Sequence, residues 1–174
     1  MRAGQGASGA PVRRPSRVAG ATAAGVALAL AACAGGTSSS PENPAPYDPE
    51  RVVFAPELGV DLSAMEMTST GLYVQDLREG DGFTAQRTSL VTLHYVGYLP
   101  DGSIFDTSSG GEPFQFRLGQ SEVIRGWNQG IPGMRKGGIR RLVVRPSLGY
   151  RSQSRGRIPA NTTLIFDVQL LDVR

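Results

Sequence analysis

The chain has 174 residues and a formal net charge of +3, a length suited to one domain of ordinary size. Four arginines and no acidic residue lie in residues 1–32, and removing those four from the 18 basic residues leaves 14 against 15 acidic ones. A positive charge confined to the N-terminus gives no support to nucleic-acid binding. The single histidine and single cysteine leave too few ligands for a typical zinc site and allow no intrachain disulfide.

Residues 1–32 have the layout of a secretory signal, an arginine-bearing leader followed by an alanine-rich apolar run that is short for a membrane-spanning helix. The run ends in Leu30-Ala31-Ala32-Cys33, which resembles the lipobox of bacterial lipoproteins, where the cysteine is lipidated and becomes the new N-terminus. We therefore expect an exported protein of the cell envelope, anchored through Cys33 to the lipid bilayer of a membrane facing the periplasm or exterior. An ordinary signal peptide with a chance cysteine is the alternative.

Residues 33–56 are rich in Gly, Ser, Thr, Pro and Asn and contain few apolar side chains. Such a segment buries too little apolar surface to order itself, so we predict a lipidated, disordered tether here and a folded domain over residues 57–174. From Val60 to Met67 the pattern allows either a first strand or a segment lying on the surface of the domain.

Alternation of apolar and polar residues predicts a series of strands in the domain. The strongest pattern is Ser89–Tyr98, and Pro100-Asp101-Gly102 after it predicts a hairpin turn. The other predicted strands are Gly71–Leu77, Ser103–Asp106, Phe114–Arg117, Gly137–Arg145 and Thr163–Val173. With one short helix, these strands predict an α+β fold with a mostly antiparallel sheet.

The only tryptophan of the chain, Trp127, lies in the predicted short helix. Ser121 is predicted to cap this helix and Glu122 to lie in its first turn. Val123, Ile124 and Trp127 follow at helical spacing and are predicted to share one face, and two glycines indicate that the helix is short. We expect Trp127 to form the floor of a shallow apolar cavity around which the sheet curves.

Few groups for acid–base or nucleophilic catalysis are available. His94 alternates with Tyr95 along one predicted strand, so the two side chains point to opposite faces and a Ser-His-Asp triad in the tyrosine's pocket is excluded. We interpret His94 as a structural or surface residue. A glycosidase-like carboxylate pair among Asp101, Asp106 and Glu112 is a less favoured alternative. Neither a metal ion nor an organic cofactor is implied.

Six separated motifs, in order along the chain, resemble those of the FKBP-type peptidyl-prolyl isomerases. They are Tyr95-Val-Gly-Tyr-Leu-Pro-Asp-Gly, Phe105-Asp106-Thr-Ser, Pro113-Phe-Gln-Phe, Val123-Ile-Arg-Gly-Trp127, Gly149-Tyr150 and Ile158-Pro-Ala-Asn-Thr-Thr-Leu-Ile-Phe-Asp-Val. The resemblance extends from about Gly71 to Val173. It implies a curved antiparallel half-barrel of about five strands wrapped around one short helix, which agrees with the class predicted from the alternation.

The resemblance also implies one pocket for a proline residue of the substrate. Its implied catalytic residues are Tyr95, Phe105, Asp106, Trp127 and Tyr150, and its implied substrate-binding residues are Phe114, Val123, Ile124, Ile158 and Phe166. The proline ring would lie over Trp127, with the Ile124 N–H and the Tyr150 hydroxyl holding substrate carbonyls. Asp106 would orient the polar edge of the pocket through a tyrosine hydroxyl or the substrate itself.

The expected function is therefore cis-trans isomerisation of X-Pro bonds in exported polypeptides, by a monomer that macrolide-type inhibitors bind. The alternatives are a binding or chaperone module of the cell envelope with little catalysis, and a purely structural envelope protein. One loop departs from the family pattern, because Arg151, Arg155 and Arg157 replace small or apolar residues. Its charge either biases the pocket toward substrates with acidic flanks or is simply solvated, and the second interpretation is preferred.

Overall fold

The computed structural model describes residues 48–174. The predicted signal peptide, the predicted lipidation site Cys33 and the predicted tether as far as residue 47 lie outside the described residues. Within residues 48–174, no helix has the length and apolar character needed to cross a bilayer.

One antiparallel sheet organises the described part of the chain. Its seven strands are β1 (Glu66–Met67), β2 (Tyr73–Arg78), β3 (Leu90–Tyr98), β4 (Ile104–Thr107), β5 (Phe114–Arg117), β6 (Ile139–Val144) and β7 (Leu164–Val173). They are ordered β1-β2-β6-β7-β3-β4, and β5 pairs with the first half of β3. The predicted antiparallel sheet with one short helix is confirmed. The number of strands is seven and not about five, because a two-residue strand is added at one edge and β3 pairs with both β4 and β5.

The helix α1 (Arg125–Gly130) contains six residues. Its two glycines not only indicate a short helix but also allow it to pack closely against the sheet. A methyl group on Gly126 would lie 2.7 Å from Val144 Cγ1, and one on Gly130 would lie 2.6 Å from Leu142 Cδ2. Both distances are too short for real carbon atoms, so any side chain at either position would push the helix away from β6. The two glycines therefore let α1 contact the sheet directly, which fixes the height of Trp127 above it.

The start of α1 differs from the prediction. Its N-cap residue is Ile124, with no side-chain cap, so the predicted capping by Ser121 and the placement of Glu122 in the first helical turn are wrong. The preceding turn is held instead by Asn128, whose side chain accepts from the Gly119 N–H (2.8 Å) and donates to the Gln120 carbonyl (2.7 Å). A side chain from within the helix thus takes over the role predicted for a cap.

A hydrophobic cluster lies on each face of the sheet. Along β6, Leu142 and Val144 belong to the larger cluster with Trp127, and Val143 belongs to the smaller one. Because successive side chains of a strand point to opposite faces, the two clusters are separated by the sheet. The larger cluster fills the space between the sheet and α1.

Residues 48–56 belong to the folded domain, and the prediction of a disordered tether is wrong for them. Asp48 forms an ion pair with Arg145 (2.8 Å), and Glu50 accepts a hydrogen bond from the Tyr73 hydroxyl (2.8 Å). Phe54 and Ala55, with Leu58 and Met65 further along, pack in the smaller cluster. This segment is ordered by contacts with residues distant in sequence, which its own polar composition does not report.

Candidate active site

A cavity of about 410 Å³ lies between α1, the sheet and the loop that joins β6 to β7. Nine of the ten residues implied by the family resemblance line it: Tyr95, Phe105, Asp106, Phe114, Val123, Ile124, Trp127, Tyr150 and Phe166. They come from β3, β4, β5, β7, α1, the turn before α1 and the β6–β7 loop. The fold therefore brings together residues that are up to about seventy positions apart in the sequence.

Ile158 is the exception, and it does not line the cavity. Its side chain is 6% exposed and packs in the larger cluster. Its backbone N–H donates to the Arg155 carbonyl and its carbonyl accepts from the Arg155 N–H, both at 2.9 Å. Ile158 thus anchors a turn whose other end, Arg155, does line the cavity.

Trp127 forms the inner wall and is held in place by other aromatic rings. Its ring centre lies 4.9 Å from that of Tyr95 and 5.3 Å from that of Phe166, both in edge-to-face geometry. Only 4% of the residue is exposed, and its indole N–H is buried with no hydrogen-bond partner among residues 48–174. Since an unpaired buried donor costs about 1–3 kcal/mol, this ring is placed for its shape and apolar surface.

Tyr95 and Asp106 form the polar edge of the cavity. The Tyr95 hydroxyl donates a hydrogen bond of 2.7 Å to Asp106 Oδ2. Burial raises the pKa of Tyr95 well above its usual value, and the bond to Asp106 acts in the same direction. The hydroxyl therefore stays protonated at physiological pH, and its hydrogen bond orients the Asp106 carboxylate.

Two further hydrogen bonds fix this pair. The Tyr95 N–H donates to Ser108 Oγ (3.0 Å), and the Thr107 hydroxyl donates to the Tyr95 carbonyl (3.0 Å). The end of β4 is thereby tied to the backbone of β3 at Tyr95. The distance between Tyr95 and Asp106 is consequently set by the backbone and not only by their own side chains.

Phe105 forms a second aromatic wall, and it lies directly over the backbone of β3. A methyl group on Gly97 would be 2.6 Å from Phe105 Cζ, so only a glycine leaves room for the ring. The ring meets Phe166 edge-to-face at 5.5 Å. The role of Gly97 was not predicted, although an isolated glycine within a strong strand pattern is a signal of a close approach.

Comparison with known proteins decides the family. A family model described as FKBP-type peptidyl-prolyl cis-trans isomerase matches residues 82–171. The chain belongs to this family. The fold and the aromatic cavity described above are thus those of an FKBP-type domain.

Proteins with related sequences bear FKBP names or the name of the activity. The chain is 43% identical over 119 residues to FK506-binding protein 4 of Mycosarcoma maydis, covering 66% of this chain and 32% of that protein. It is 41% identical over 104 residues to a peptidyl-prolyl cis-trans isomerase of Saccharomyces cerevisiae, covering 60% of this chain and 25% of that protein. The match therefore spans less than a third of the length of each of these two relatives.

Solved bacterial structures have the same fold. FkpA from Escherichia coli matches with a TM-score of 0.60 and 41% identity, over 68% of this chain and 55% of that one. A peptidyl-prolyl cis-trans isomerase from Pseudomonas syringae pv. tomato matches with a TM-score of 0.57 and 33% identity, over 63% of this chain and 80% of that one.

Two polar groups of the FKBP-type cavity are unused within the described part of the chain. Neither the Ile124 N–H nor the Tyr150 hydroxyl takes part in a hydrogen bond among residues 48–174. Both residues line the cavity. These are the two groups to which the resemblance assigns the substrate carbonyls, and both are available for that purpose.

Three cavity residues were not predicted: Ser121, Glu122 and Arg155. Ser121 and Glu122 line the cavity from the turn before α1, which is not helical as had been predicted. Arg155 lines it because its turn is anchored through Ile158. The arginine-rich loop was visible in the sequence, but which of its arginines reaches the cavity was not.

The alternative catalytic groups considered from the sequence are not brought together at the cavity among residues 48–174. Of the acids Asp101, Asp106 and Glu112, only Asp106 lines the cavity, so the carboxylate pair considered among them is not formed there. His94 does not line the cavity either, and its Nδ1 lies 3.2 Å from Ser108 Oγ. Residues 48–174 contain no cluster of three His, Cys, Asp or Glu side chains that could hold a metal ion.

Proposed function

We propose that this protein is an enzyme that accelerates cis-trans isomerisation of X-Pro bonds in proline-containing polypeptides. The observation that carries the proposal is one cavity lined both by the aromatic residues Phe105, Trp127 and Phe166 and by Ile124 and Tyr150, whose donors are unused among residues 48–174. An apolar cavity with a few convergent polar groups is the usual form of a small-ligand site. Here its walls suit a pyrrolidine ring and its donors suit peptide carbonyls.

The aromatic walls lower the barrier by excluding water. Resonance holds the prolyl amide planar against a barrier of about 18–20 kcal/mol. The planar amide is more polar than the twisted one, so it loses more hydration when it enters an apolar cavity. Moving the bond against Trp127 and Phe105 therefore destabilises the planar states relative to the twisted state between them.

The hydrogen-bond donors hold the chain on either side of the rotating bond. With the Ile124 N–H and the Tyr150 hydroxyl on neighbouring carbonyls, the substrate is oriented and the bond between them is free to turn. A thousandfold acceleration requires a reduction of the barrier by about 4 kcal/mol. Two aimed hydrogen bonds together with removal of solvent are of a sufficient size for this reduction.

The activity is tested by following the cis-to-trans relaxation of an X-Pro peptide with the purified full-length chain. Tyr150→Phe removes one donor and is expected to lower kcat/KM by about three- to tenfold, the effect of losing one neutral hydrogen bond. Tyr98→Phe is the matched control, because Tyr98 packs with the smaller cluster on the other face of the sheet. Its activity should equal that of the unmodified chain.

The outcome also distinguishes the alternative of a binding or chaperone module. If the peptide quenches Trp127 fluorescence but relaxes at the uncatalysed rate, binding alone is the function of the cavity. If it neither quenches nor relaxes faster, both functions are excluded. The names of several relatives contain the words FK506-binding, which supports the proposal that macrolide-type inhibitors compete with the peptide for this cavity.

We also propose that the protein is exported and anchored to a membrane of the cell envelope through Cys33, with the FKBP-type domain as a monomer. The support is the sequence Leu30-Ala31-Ala32-Cys33 and the apolar run before it. The 15 residues from 33 to 47 have a maximum contour length of about 50 Å, which sets the upper limit of the distance between the lipid and Asp48. Labelling with a radioactive fatty acid should mark the chain but not Cys33→Ser, and membrane retention of unlabelled Cys33→Ser would contradict the anchor.

A further inference from the structure

The β6–β7 loop places a cationic side chain at the cavity. Arg155 lines the cavity, and its Cζ lies 5.2 Å from the centre of the Tyr150 ring. None of the ion pairs among residues 48–174 includes Arg155, whereas Arg140 and Arg141 each pair with an aspartate. A guanidinium in contact with a substrate cavity and without a carboxylate partner is free to bind an acidic group of the substrate.

The position of Arg155 is well defined for an exposed arginine. The reciprocal backbone hydrogen bonds between Arg155 and Ile158 close a tight turn, and Gly156 adopts the left-handed conformation that the turn requires (φ 56°). Ile158 fixes the turn to the core, and the Tyr150 ring supports the guanidinium by a cation–π contact. Holding the side chain in advance lowers the entropy that is lost when a ligand is bound.

Neither acidic residue of the cavity forms an ion pair with Arg155. Asp106 accepts the hydrogen bond of Tyr95. Glu122 also lines the cavity but forms no ion pair with Arg155. The other two arginines of the loop, Arg151 and Arg157, are not part of the wall. All three arginines are exposed, and Arg155 is the one that lies at the cavity.

We propose that Arg155 is a specificity determinant that favours substrates with Asp or Glu next to the X-Pro bond. The inference rests on the proposed function of the same cavity. The Tyr150 hydroxyl is assigned to a substrate carbonyl, and Arg155 stacks on the ring that carries this hydroxyl. A side chain flanking that carbonyl therefore comes within reach of the guanidinium, which binds carboxylates through two parallel charge-assisted hydrogen bonds.

The test compares peptides that differ only by Glu or Gln, placed in turn at each position flanking the X-Pro bond. With the full-length chain at low salt, kcat/KM at one of these positions should be about two- to fivefold higher for Glu, the size expected for a solvent-exposed ion pair. Arg155→Gln should remove this preference. Arg157→Gln is the matched control, because it removes the same charge from the same loop outside the cavity, and the preference should remain. Added salt should reduce the preference in the unmodified chain.

The outcomes of this test distinguish the role of Arg155 from the proposed isomerase function. Equal kcat/KM values for Glu and Gln peptides, both accelerated, overturn the role of Arg155 and leave the isomerase function in place. Equal loss of the preference in Arg155→Gln and Arg157→Gln also overturns it, since the effect would then belong to the net charge of the loop. If no peptide is accelerated, the isomerase function fails. Trp127 fluorescence titration with the same peptides then decides, because tighter binding of Glu peptides that is lost in Arg155→Gln supports the inference and equal binding overturns it.

Discussion

Gly97→Ala is the smallest substitution that should displace a wall of the cavity. The new methyl group would lie 2.6 Å from Phe105 Cζ and 3.0 and 3.1 Å from its two Cε atoms. Ordinary contacts between carbon atoms are about 3.5–4.0 Å, so the ring must move by about 1 Å. Gly97 lies in β3 between β4 and β7, so we expect the Phe105 ring, and not the paired backbone, to move.

Both stability and activity should report this displacement. Overpacking of this kind costs about 1–3 kcal/mol, measurable as a lower urea midpoint at an unchanged m-value. A misplacement of about 1 Å in a substrate-positioning wall can lower the rate by up to about a hundredfold, and we expect kcat/KM for an X-Pro peptide to fall by at least about tenfold. Urea unfolding followed by Trp127 fluorescence and the peptide assay measure the two effects on one preparation.

The control for this experiment is Gly111→Ala. A methyl group on Gly111 would meet only the Ser108 carbonyl oxygen, at an ordinary 3.8 Å. Its urea midpoint and kcat/KM should stay near those of the unmodified chain. If Gly97→Ala behaves like Gly111→Ala in both measurements, Phe105 does not rest on the β3 backbone.

The Tyr95–Asp106 hydrogen bond should give a coupling of about 1–3 kcal/mol in a double-mutant cycle of Tyr95→Phe and Asp106→Asn followed by urea unfolding, and additive effects would contradict it. Burial and the bond to Glu50 raise the pKa of Tyr73 to about 12, while the unfolded chain loses this proton near pH 10. Stability should therefore fall as pH rises from about 10 to about 12, less steeply in Tyr73→Phe, and equal slopes would refute the assignment. A chain that begins at residue 57 should have a lower Tm than one that begins at residue 48, because it loses Phe54, Ala55 and the Asp48 ion pair; equal Tm values would show that the segment adds no stability.

The sequence predicted features that repeat along a strand, and it missed those that depend on individual side-chain contacts. Alternation located β3 and β7 because most of one face of each strand is buried. The start of α1 was misplaced because Asn128, which holds the preceding turn, lies on the helix itself. The order of residues 48–56 was missed because Asp48 is tied to Arg145, 97 positions away. No local pattern contains the information for these two contacts.

The same distinction applies to the cavity. The family motifs located nine of its residues because each motif places a ring or a donor on a particular strand or turn. The motifs did not show that Arg155 lines the cavity, whereas Ile158 is buried behind it and does not line it. Both residues belong to one turn. The apolar side chain of Ile158 packs in the larger cluster, and this determines how the turn is oriented. Burial of Ile158 leaves Arg155 at the cavity.

Three glycines, which have no side chain, allow the close contacts that position two walls of this cavity. Phe105 is set by contact with the backbone at Gly97, and α1 is set by contact with β6 at Gly126 and Gly130. Each contact keeps the ring or the helix from moving closer to the sheet, so these two walls of the cavity are already positioned without substrate. Catalysis by desolvation requires such a cavity, because walls that closed around the planar amide would stabilise the ground state as well as the twisted state.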